Sequence, residues 1–294
     1  NLREMTGVGM MDCKKALAEA DGNMDKAVEI LREKGLAASQ KKAGRIAAEG
    51  MAYAAAIDGM GVVVEVNAET DFVAKNEKFV EFVNGVAAVV AKEQPADLDA
   101  LMECKYCGTE LTVTQQQQEM VLVIGENIKV RRFHIFEGGI SVPYIHAGGK
   151  IGVLVNLETD LTAEQVTECG KDVAMQIAAL NPRFWDKSQV TEDVLEEERK
   201  IMMVQMANDP KMAGKPEQVI ANIDEVKLNK FYAENCLLQQ EFVKDGELTV
   251  EKYLAKCAKE LGGSIVLKDA VRFEKGEGIE KKQENFAEEI AKMA

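Results

Sequence analysis

Hydrophobic residues change their spacing along this chain, and the changes predict where strands give way to helices. Apolar runs over 53–57 and 62–66 flank the turn Asp58-Gly59, a pattern typical of a β-hairpin. Apolar side chains three or four positions apart then predict a helix over 76–91. The same reasoning predicts a helix over 115–124 and strands over 129–136, 141–146 and 151–157.

The second half of the chain is predicted to be mainly helical. Thr162 and Gln165 have the spacing of a capping box, so a helix is expected to begin there and to end before Asn181-Pro182. Apolar positions on both sides of a Pro- and Gly-rich stretch predict an antiparallel helical hairpin. The predicted elements are the hairpin helices over 191–206 and 216–235, a helix over 249–261, a strand over 264–273, and a final helix with Ile279, Phe286, Ile290 and Met293 on one side.

Residues 1–35 predict a small helical bundle. Strong helix formers over 10–20 are followed by a break at Asp21-Gly22, and Asn23 is the expected N-cap of the next helix. Gly35 is the expected end of that helix. A hydrophobic core of this size is marginal, so we expect the bundle to pack against other parts of the protein.

One motif occurs twice. Residues 63–72 read VVEVNAETDF, and residues 152–161 read GVLVNLETDL. What the copies share is most simply scaffold, but only the first ends in a large aromatic, Phe72, where the second has Leu161. The helices that follow the two copies are separated by two residues fewer than the copies themselves. The first copy therefore has a longer loop after Phe72. A projecting contact and a spare insertion both fit that loop.

The charge balance argues against nucleic acid as the main partner. The chain has 294 residues and a net charge of −14, whereas a phosphate-binding surface needs clustered Lys and Arg. No apolar stretch approaches the roughly 18 residues that a membrane span requires. No signal peptide is visible, and the six cysteines are scattered along the chain. Reduced thiols in a cytoplasmic protein are therefore expected.

Few residues are arranged for catalysis. Cys104 and Cys107 form a single CxxC, without the second ligand pair that a structural zinc needs. The two histidines, His134 and His146, cannot form a hydrolytic network unaided, and no phosphate-binding GxxxxGK[ST] loop is present. We therefore expect no cofactor, no metal and no catalytic residue. The methionines around Gly7 and Gly9 suit either core filling or an adaptable protein-binding patch.

Several motifs together resemble the bacterial elongation factor Ts family. The N-terminal one is TGVGMMDCKKAL, residues 6–17. A second runs from Glu65-Val66-Asn67 to Thr70-Asp71-Phe72-Val73-Ala74. Further matches are Ile124-Gly125-Glu126-Asn127-Ile128 through Arg131-Arg132, His146 before Ile151-Gly152-Val153-Leu154-Val155, and Arg272-Phe273 through Gly276-Glu277-Gly278-Ile279-Glu280. The matches run in order along the whole chain, except over 104–118.

The resemblance implies an α+β fold in several parts. These are a ubiquitin-associated-like three-helix bundle over 1–42, a core of two duplicated α/β subdomains, and a C-terminal helical module over 277–294. The subdomains would span 43–139 and 140–276, with a helical-hairpin dimerisation module inserted at about 188–236. The sequence leaves open whether that hairpin pairs with a second copy or packs on its own core.

The resemblance also implies a function. Members of the family are translation elongation factors that bind the GDP-bound GTPase elongation factor Tu and promote GDP release, without catalytic chemistry of their own. Thr70, Asp71 and Phe72 would act at the magnesium and phosphate site of the GTPase. Supporting contacts would come from Met10, Met11, Lys14, Ile124, Gly125 and His146.

Two other interpretations are weighed against this one. A thiol or metal enzyme would be centred on Cys104 and Cys107. An adaptor of the ubiquitin-binding kind would rest on the N-terminal bundle alone, which leaves the repeated motif unexplained.

Overall fold

The computed structural model describes residues 1–208 and 217–280. The fold is α+β, as predicted, with small antiparallel sheets and many helices. The described residues form two compact units: one of Asn1–Gly138, Pro143–Leu154 and residues from Phe273 onward, and one of Gly139–Val142 and Val155–Arg272. Most of the predicted final helix and the tip of the predicted hairpin lie outside the described residues.

The first unit begins with three helices, α1 (Leu2–Thr6), α2 (Met10–Glu19) and α3 (Met24–Lys42). Asn23 caps α3 as predicted, because its side chain accepts the backbone N–H of Lys26. The predicted end at Gly35 is wrong. The helix continues to Lys42, and Gly35 is buried where α3 approaches the backbone of a later helix. The core of this bundle is small and apolar: Leu2, Val8, Cys13, Ala16, Ala20, Ala27 and Leu31.

The sheet of the first unit contains β1 (Glu49–Ile57), β2 (Met60–Ala68) and β3 (Lys129–Phe136), with β2 in the centre. The predicted hairpin is confirmed, since β1 pairs with β2 from Glu49↔Ala68 to Ile57↔Met60. Its turn residues Asp58 and Gly59 both have positive φ, 49° and 82°, which suits the twist of a tight hairpin.

Three helices accompany this sheet: α4 (Glu77–Glu93), α5 (Leu98–Glu103) and α6 (Val113–Ile124). α4 buries an apolar face on β2, and its first turn is capped by the side chain of Asn76. α3 packs on α6, where the carbonyl oxygen of Gln118 would lie only 3.2 Å from a Cβ at Gly35. The bundle is therefore fixed to the same core as the sheet.

The second sheet has the strand order β4 (Ile140–His146), β5 (Ile151–Thr159), β8 (Ile265–Glu274). α7 (Ala163–Leu180) follows β5 and begins with the predicted capping box of Thr162 and Gln165. The second unit also contains α8 (Glu192–Ala207), α9 (Glu217–Asn235), the short strands β6 (Glu241–Phe242) and β7 (Asp245–Thr249), and α10 (Val250–Leu261).

The two copies of the sequence motif occupy corresponding local structures. The first contains the end of β2 and the second the end of β5, and each of these strands is central in its sheet. The helices that follow, α4 and α7, end at left-handed residues, Gln94 (φ 46°) and Asn181 (φ 45°). The longer loop of the first copy contains a 3₁₀ turn, Val73–Lys75, directly after Phe72.

Among the described residues, no helix combines the length and the apolar character that crossing a membrane requires.

Candidate functional site

Phe72 exposes 82% of its surface, although the backbone around it is well fixed. Ala68 at the end of β2 and Val73 after the ring are both buried. Phe72 itself has helical φ and ψ of −62° and −37°, and its carbonyl accepts the N–H of Lys75 at 3.2 Å. The ring therefore projects from a regular turn with an anchored side chain on each side.

The carboxylate of Glu126 holds the residues that lead to this turn. Its Oε2 accepts the backbone N–H groups of Glu69 and Thr70, each at 3.0 Å. Its Oε1 accepts the hydroxyl of Thr70 at 2.6 Å. Hydrogen bonds to an ionised acceptor are stronger than neutral ones, so this set, which we term the Glu126 clamp, fixes the backbone immediately before Asp71.

A second carboxylate, that of Glu69, connects the same turn to the residues that follow α3 and α6. Glu69 Oε1 accepts the N–H of Asn127 at 2.6 Å and lies 3.5 Å from Nη1 of Arg45. The side chain of Asn127 in turn donates to the carbonyl of Arg45 at 2.8 Å. Lys42 donates to the carbonyl of Gly125. The end of α3, the end of α6 and the turn after β2 are thus joined by hydrogen bonds.

Ile124 and Gly125 lie next to the clamp in sequence and support it. Ile124 is half-buried against the sheet core, and Gly125 ends α6 in the left-handed conformation with φ 85°. This C-cap turns the chain so that Glu126 reaches the loop after β2. Of the predicted site residues, the structure brings Thr70 and the Ile124-Gly125 pair together through Glu126.

The methionines of the N-terminal bundle lie on its surface. Met10 and Met11, in the first turn of α2, expose 65% and 64% of their surface, and Lys14 on the same helix is exposed. Met5 is exposed as well. The bundle core is filled by smaller apolar side chains, so core filling is excluded for these methionines. These exposed apolar side chains, which we term the methionine patch, are open to a protein partner.

His146 lies at the exposed end of β4, with its Nδ1 3.1 Å from the hydroxyl of Tyr144. Like every other predicted site residue, it belongs to the first unit. Within the described residues, the hydrogen bond and the ring contact of His146 are both made with Tyr144, so neither joins it to the Phe72 turn or to the methionine patch.

Sequence reasoning missed the roles of the acidic residues in this unit. Glu126 has one local signal, a carboxylate directly after a helix-ending glycine, and its partners lie more than fifty positions away.

Glu65, on β2, is fully buried and accepts hydrogen bonds from Arg131 at 3.0 Å, Arg132 at 2.5 Å and the backbone N–H of Gly276 at 2.8 Å. Burial by itself raises the pKa of Glu65, but these bonds and one from Asn67 bring that pKa below its usual 4.5.

Cys104 does not have the properties of a reactive thiol. All six cysteines are free. Cys104 donates to the carbonyl of Ala100 at 3.2 Å. Burial, with the nearby charge of Glu93, raises the pKa of Cys104, which reduces its thiolate fraction at neutral pH. Within the described residues, no three or more His, Cys, Asp or Glu side chains are grouped to hold a metal ion.

Comparison with known proteins decides the family. The family model described as Elongation factor TS matches residues 69–277. Elongation factor Ts of Syntrophotalea carbinolica is 49% identical over 296 aligned positions, covering 99% of this chain and 96% of that protein. Elongation factor Ts of Clostridium tetani is 50% identical over 297 positions, with the same coverage. This chain belongs to the elongation factor Ts family. It is thereby a translation elongation factor.

The family match includes the exposed turn. The elongation factor Ts model begins at residue 69, so it covers Thr70, Asp71 and Phe72, the Ile124-Gly125 pair and His146. The methionine patch precedes that range and lies within the alignments to the relatives, which extend over nearly the whole chain.

Proposed function

We propose that this protein binds the GDP-bound GTPase elongation factor Tu and promotes GDP release by disturbing its magnesium and phosphate site, which allows GTP to rebind. The observation that carries the proposal is the Phe72 ring, 82% exposed on a turn whose backbone is held by the Glu126 clamp. An exposed ring on a fixed backbone loses little conformational entropy on binding, so more of its burial energy contributes to affinity.

Asp71 supports the same role. It is exposed, and it forms no hydrogen bond or ion pair with the described residues. Its carboxylate therefore remains available to orient the contact that Phe72 makes. Thr70 contributes by holding the turn in place, since its hydroxyl and N–H both donate to Glu126.

The size of the required effect explains why several patches take part. Exchange is negative coupling between the factor and GDP, so the factor must bind the empty GTPase better than the GDP-bound form. Accelerating release about 10⁴-fold by coupling requires about 5.5 kcal/mol of differential binding. Burying one Phe contributes only about 1.5–3 kcal/mol. Contacts by Met10, Met11, Lys14, Ile124, Gly125 and His146 supply the remainder in this proposal.

The remaining parts of the proposal follow the family. The bundle over 1–42 is ubiquitin-associated-like, the core over 43–276 is duplicated, and the hairpin at about 188–236 is a site for pairing with a second copy of the chain. Exposed apolar side chains on α8 and α9, namely Ile201, Met203, Val204 and Val226, support that pairing. The protein acts in the cytoplasm without direct contact to nucleic acid and without catalytic chemistry of its own.

Substoichiometric exchange tests the proposal directly. Elongation factor Tu loaded with fluorescent GDP is mixed with a tenth as much of this protein in the presence of excess unlabelled GDP, and release is followed by stopped flow. We expect each molecule of factor to release many GDP molecules, because the factor dissociates once nucleotide rebinds. Release at the spontaneous rate with a folded, binding-competent factor would overturn the proposed function.

A further inference from the structure

The two motif copies hold their turns by different side chains. In the second copy, Oδ1 of Asp160 accepts the backbone N–H of Ser264 at 2.7 Å and the Ser264 hydroxyl at 3.1 Å. The backbone bond, followed by the hydroxyl bond, holds the pKa of Asp160 below its usual value. Leu161, which follows, is half-buried with its side chain against Gly263. In this copy the Asp carboxylate is therefore engaged in hydrogen bonds within the chain itself.

In the first copy the corresponding Asp71 has no such task. The turn is held instead by Glu126, which lies 56 residues beyond Thr70 in the chain and is bound to the residues just before Asp71. The second copy restrains its turn through the Asp of the motif, whereas the first copy restrains its turn through Glu126, which lies outside the motif. As a result, the Asp71 carboxylate has no hydrogen bond among the described residues, and the adjacent Phe72 ring is exposed.

We infer that Glu126 is a positioning residue for nucleotide exchange: it fixes the turn before binding so that Asp71 and Phe72 meet the GTPase together. This inference rests on the proposed function. Without Glu126, three donors that now share one carboxylate would turn to water, and the turn would sample other conformations. The partner would then have to order the turn when it binds, at a cost in affinity.

The chemistry of the clamp identifies a conservative replacement. In Glu126→Gln, the amide oxygen can accept the N–H groups of Glu69 and Thr70, and the amide nitrogen can donate to the Thr70 hydroxyl, which is also an acceptor. Glu126→Ala removes every one of these bonds. Glu126→Gln should therefore keep most of the restraint on the turn that Glu126→Ala removes. If the negative charge alone mattered, Glu126→Gln would be as defective as Glu126→Ala.

Two measurements separate positioning from a general loss of stability. Chymotrypsin cleaves after an exposed Phe only when the surrounding backbone opens, so the rate of cleavage after Phe72, followed by mass spectrometry on the full-length protein, reports how well the turn is held. Exchange kinetics as a function of factor concentration report binding and the maximal rate separately. A general loss of stability would instead lower the fraction of folded, active factor, and a thermal melting curve would show that loss.

We expect cleavage after Phe72 in Glu126→Ala to be faster by about tenfold or more, the change that follows from losing one hydrogen bond to a charged group. The factor concentration for half-maximal exchange should rise by a similar ratio, with a maximal rate close to that of the wild type. Glu126→Gln should lie near the wild type in both. Asp160→Ala is the matched control from the second copy, and should change neither cleavage after Phe72 nor exchange per folded molecule.

Cleavage of Glu126→Ala at the wild-type rate would overturn the inference, whatever its exchange activity. Faster cleavage with unchanged exchange kinetics would also overturn it, provided that Phe72→Ala is slow in the same assay. Should Phe72→Ala exchange as fast as the wild type, the failure would lie in the proposed function instead.

Discussion

Phe72 is an exposed side chain between the buried residues Ala68 and Val73, and its counterpart in the second copy, Leu161, is half-buried. The two positions are therefore a natural pair for separating contact from packing. A ring that touches almost nothing within its own protein contributes little to stability. A side chain packed against Gly263 contributes to stability and is not free to contact a partner.

Phe72→Ala should slow GDP release from elongation factor Tu at subsaturating factor by about tenfold to a hundredfold, the equivalent of the 1.5–3 kcal/mol gained on burying a Phe. Its melting temperature should remain that of the wild type. Stopped-flow release of labelled GDP and a thermal melt of the same preparation provide the two readings. An unchanged release rate would remove Phe72 from the mechanism.

Leu161→Ala is the control for that change and should give the reverse result. Removing the half-buried side chain should lower the free energy of unfolding by about 1–3 kcal/mol, less than for a fully buried Leu. Exchange per folded molecule should hardly change. A large loss of exchange activity in a fully folded Leu161→Ala protein would show that the second copy also contacts the GTPase.

Among the elements, the predictions that held were those with local causes. Apolar spacing and a capping box determine where α7 begins, and the Asp58-Gly59 turn determines the pairing of β1 with β2. The sequence did not predict α5 or the short β6–β7 pair, because their apolar patterns are too brief to distinguish from loops. The Glu126 clamp was also missed, since it depends on contacts between segments far apart in the chain.

Gly35 shows how a local rule fails when packing overrides it. A glycine near the end of a helical pattern usually marks the C-cap, but here it allows the backbone of α3 to approach the backbone of α6. Gly35→Val would force the two helices apart. We expect the free energy of unfolding to fall by about 1–3 kcal/mol, as for other overpacked cores, in a urea titration.

Gly44→Val is the matched control, because Gly44 is exposed and a Cβ there would meet no atom within 4 Å. Its unfolding curve should nearly coincide with that of the wild type. Equal destabilisation by both variants would indicate that the cost arises from valine itself and not from the contact between the two helices.

Over the whole molecule, the buried Glu65 links segments that are remote in sequence. Its carboxylate holds Arg131 and Arg132 on the neighbouring strand and the N–H of Gly276. Arg132 continues the connection by lying over the ring of Phe273, 4.2 Å from its centre, and by pairing with Glu277 at 3.0 Å. The stretch after β8 is thereby fixed to the first sheet.

The lowered pKa of Glu65 predicts an acid-sensitive contribution to stability. A carboxylate with a pKa below 4.5 in the folded state contributes its full stabilisation above that pH and loses it as the pH falls through the folded value. Glu65→Gln should therefore lower the free energy of unfolding near neutral pH by about 3 kcal/mol, the low end for a broken buried pair, since both guanidinium groups are partly exposed.

Urea titrations over a series of pH values test this, and the difference between variant and wild type should shrink as the pH falls below about 4.5. Glu137→Gln, an exposed position at the end of the same strand pair, serves as the control and should follow the wild type throughout. A difference that stays constant with pH would contradict the assignment of the acid sensitivity to Glu65.

The bond between Glu65 and Gly276 spans 211 residues, and this has a consequence for synthesis on the ribosome. At roughly 5–20 residues per second, the glycine leaves the peptidyl-transferase centre about 10–40 s after the glutamate does. Throughout that interval the nascent sheet lacks one of the donors for its central carboxylate. The N-terminal half of a factor that serves translation can thus reach its final structure only after the ribosome has added residue 276.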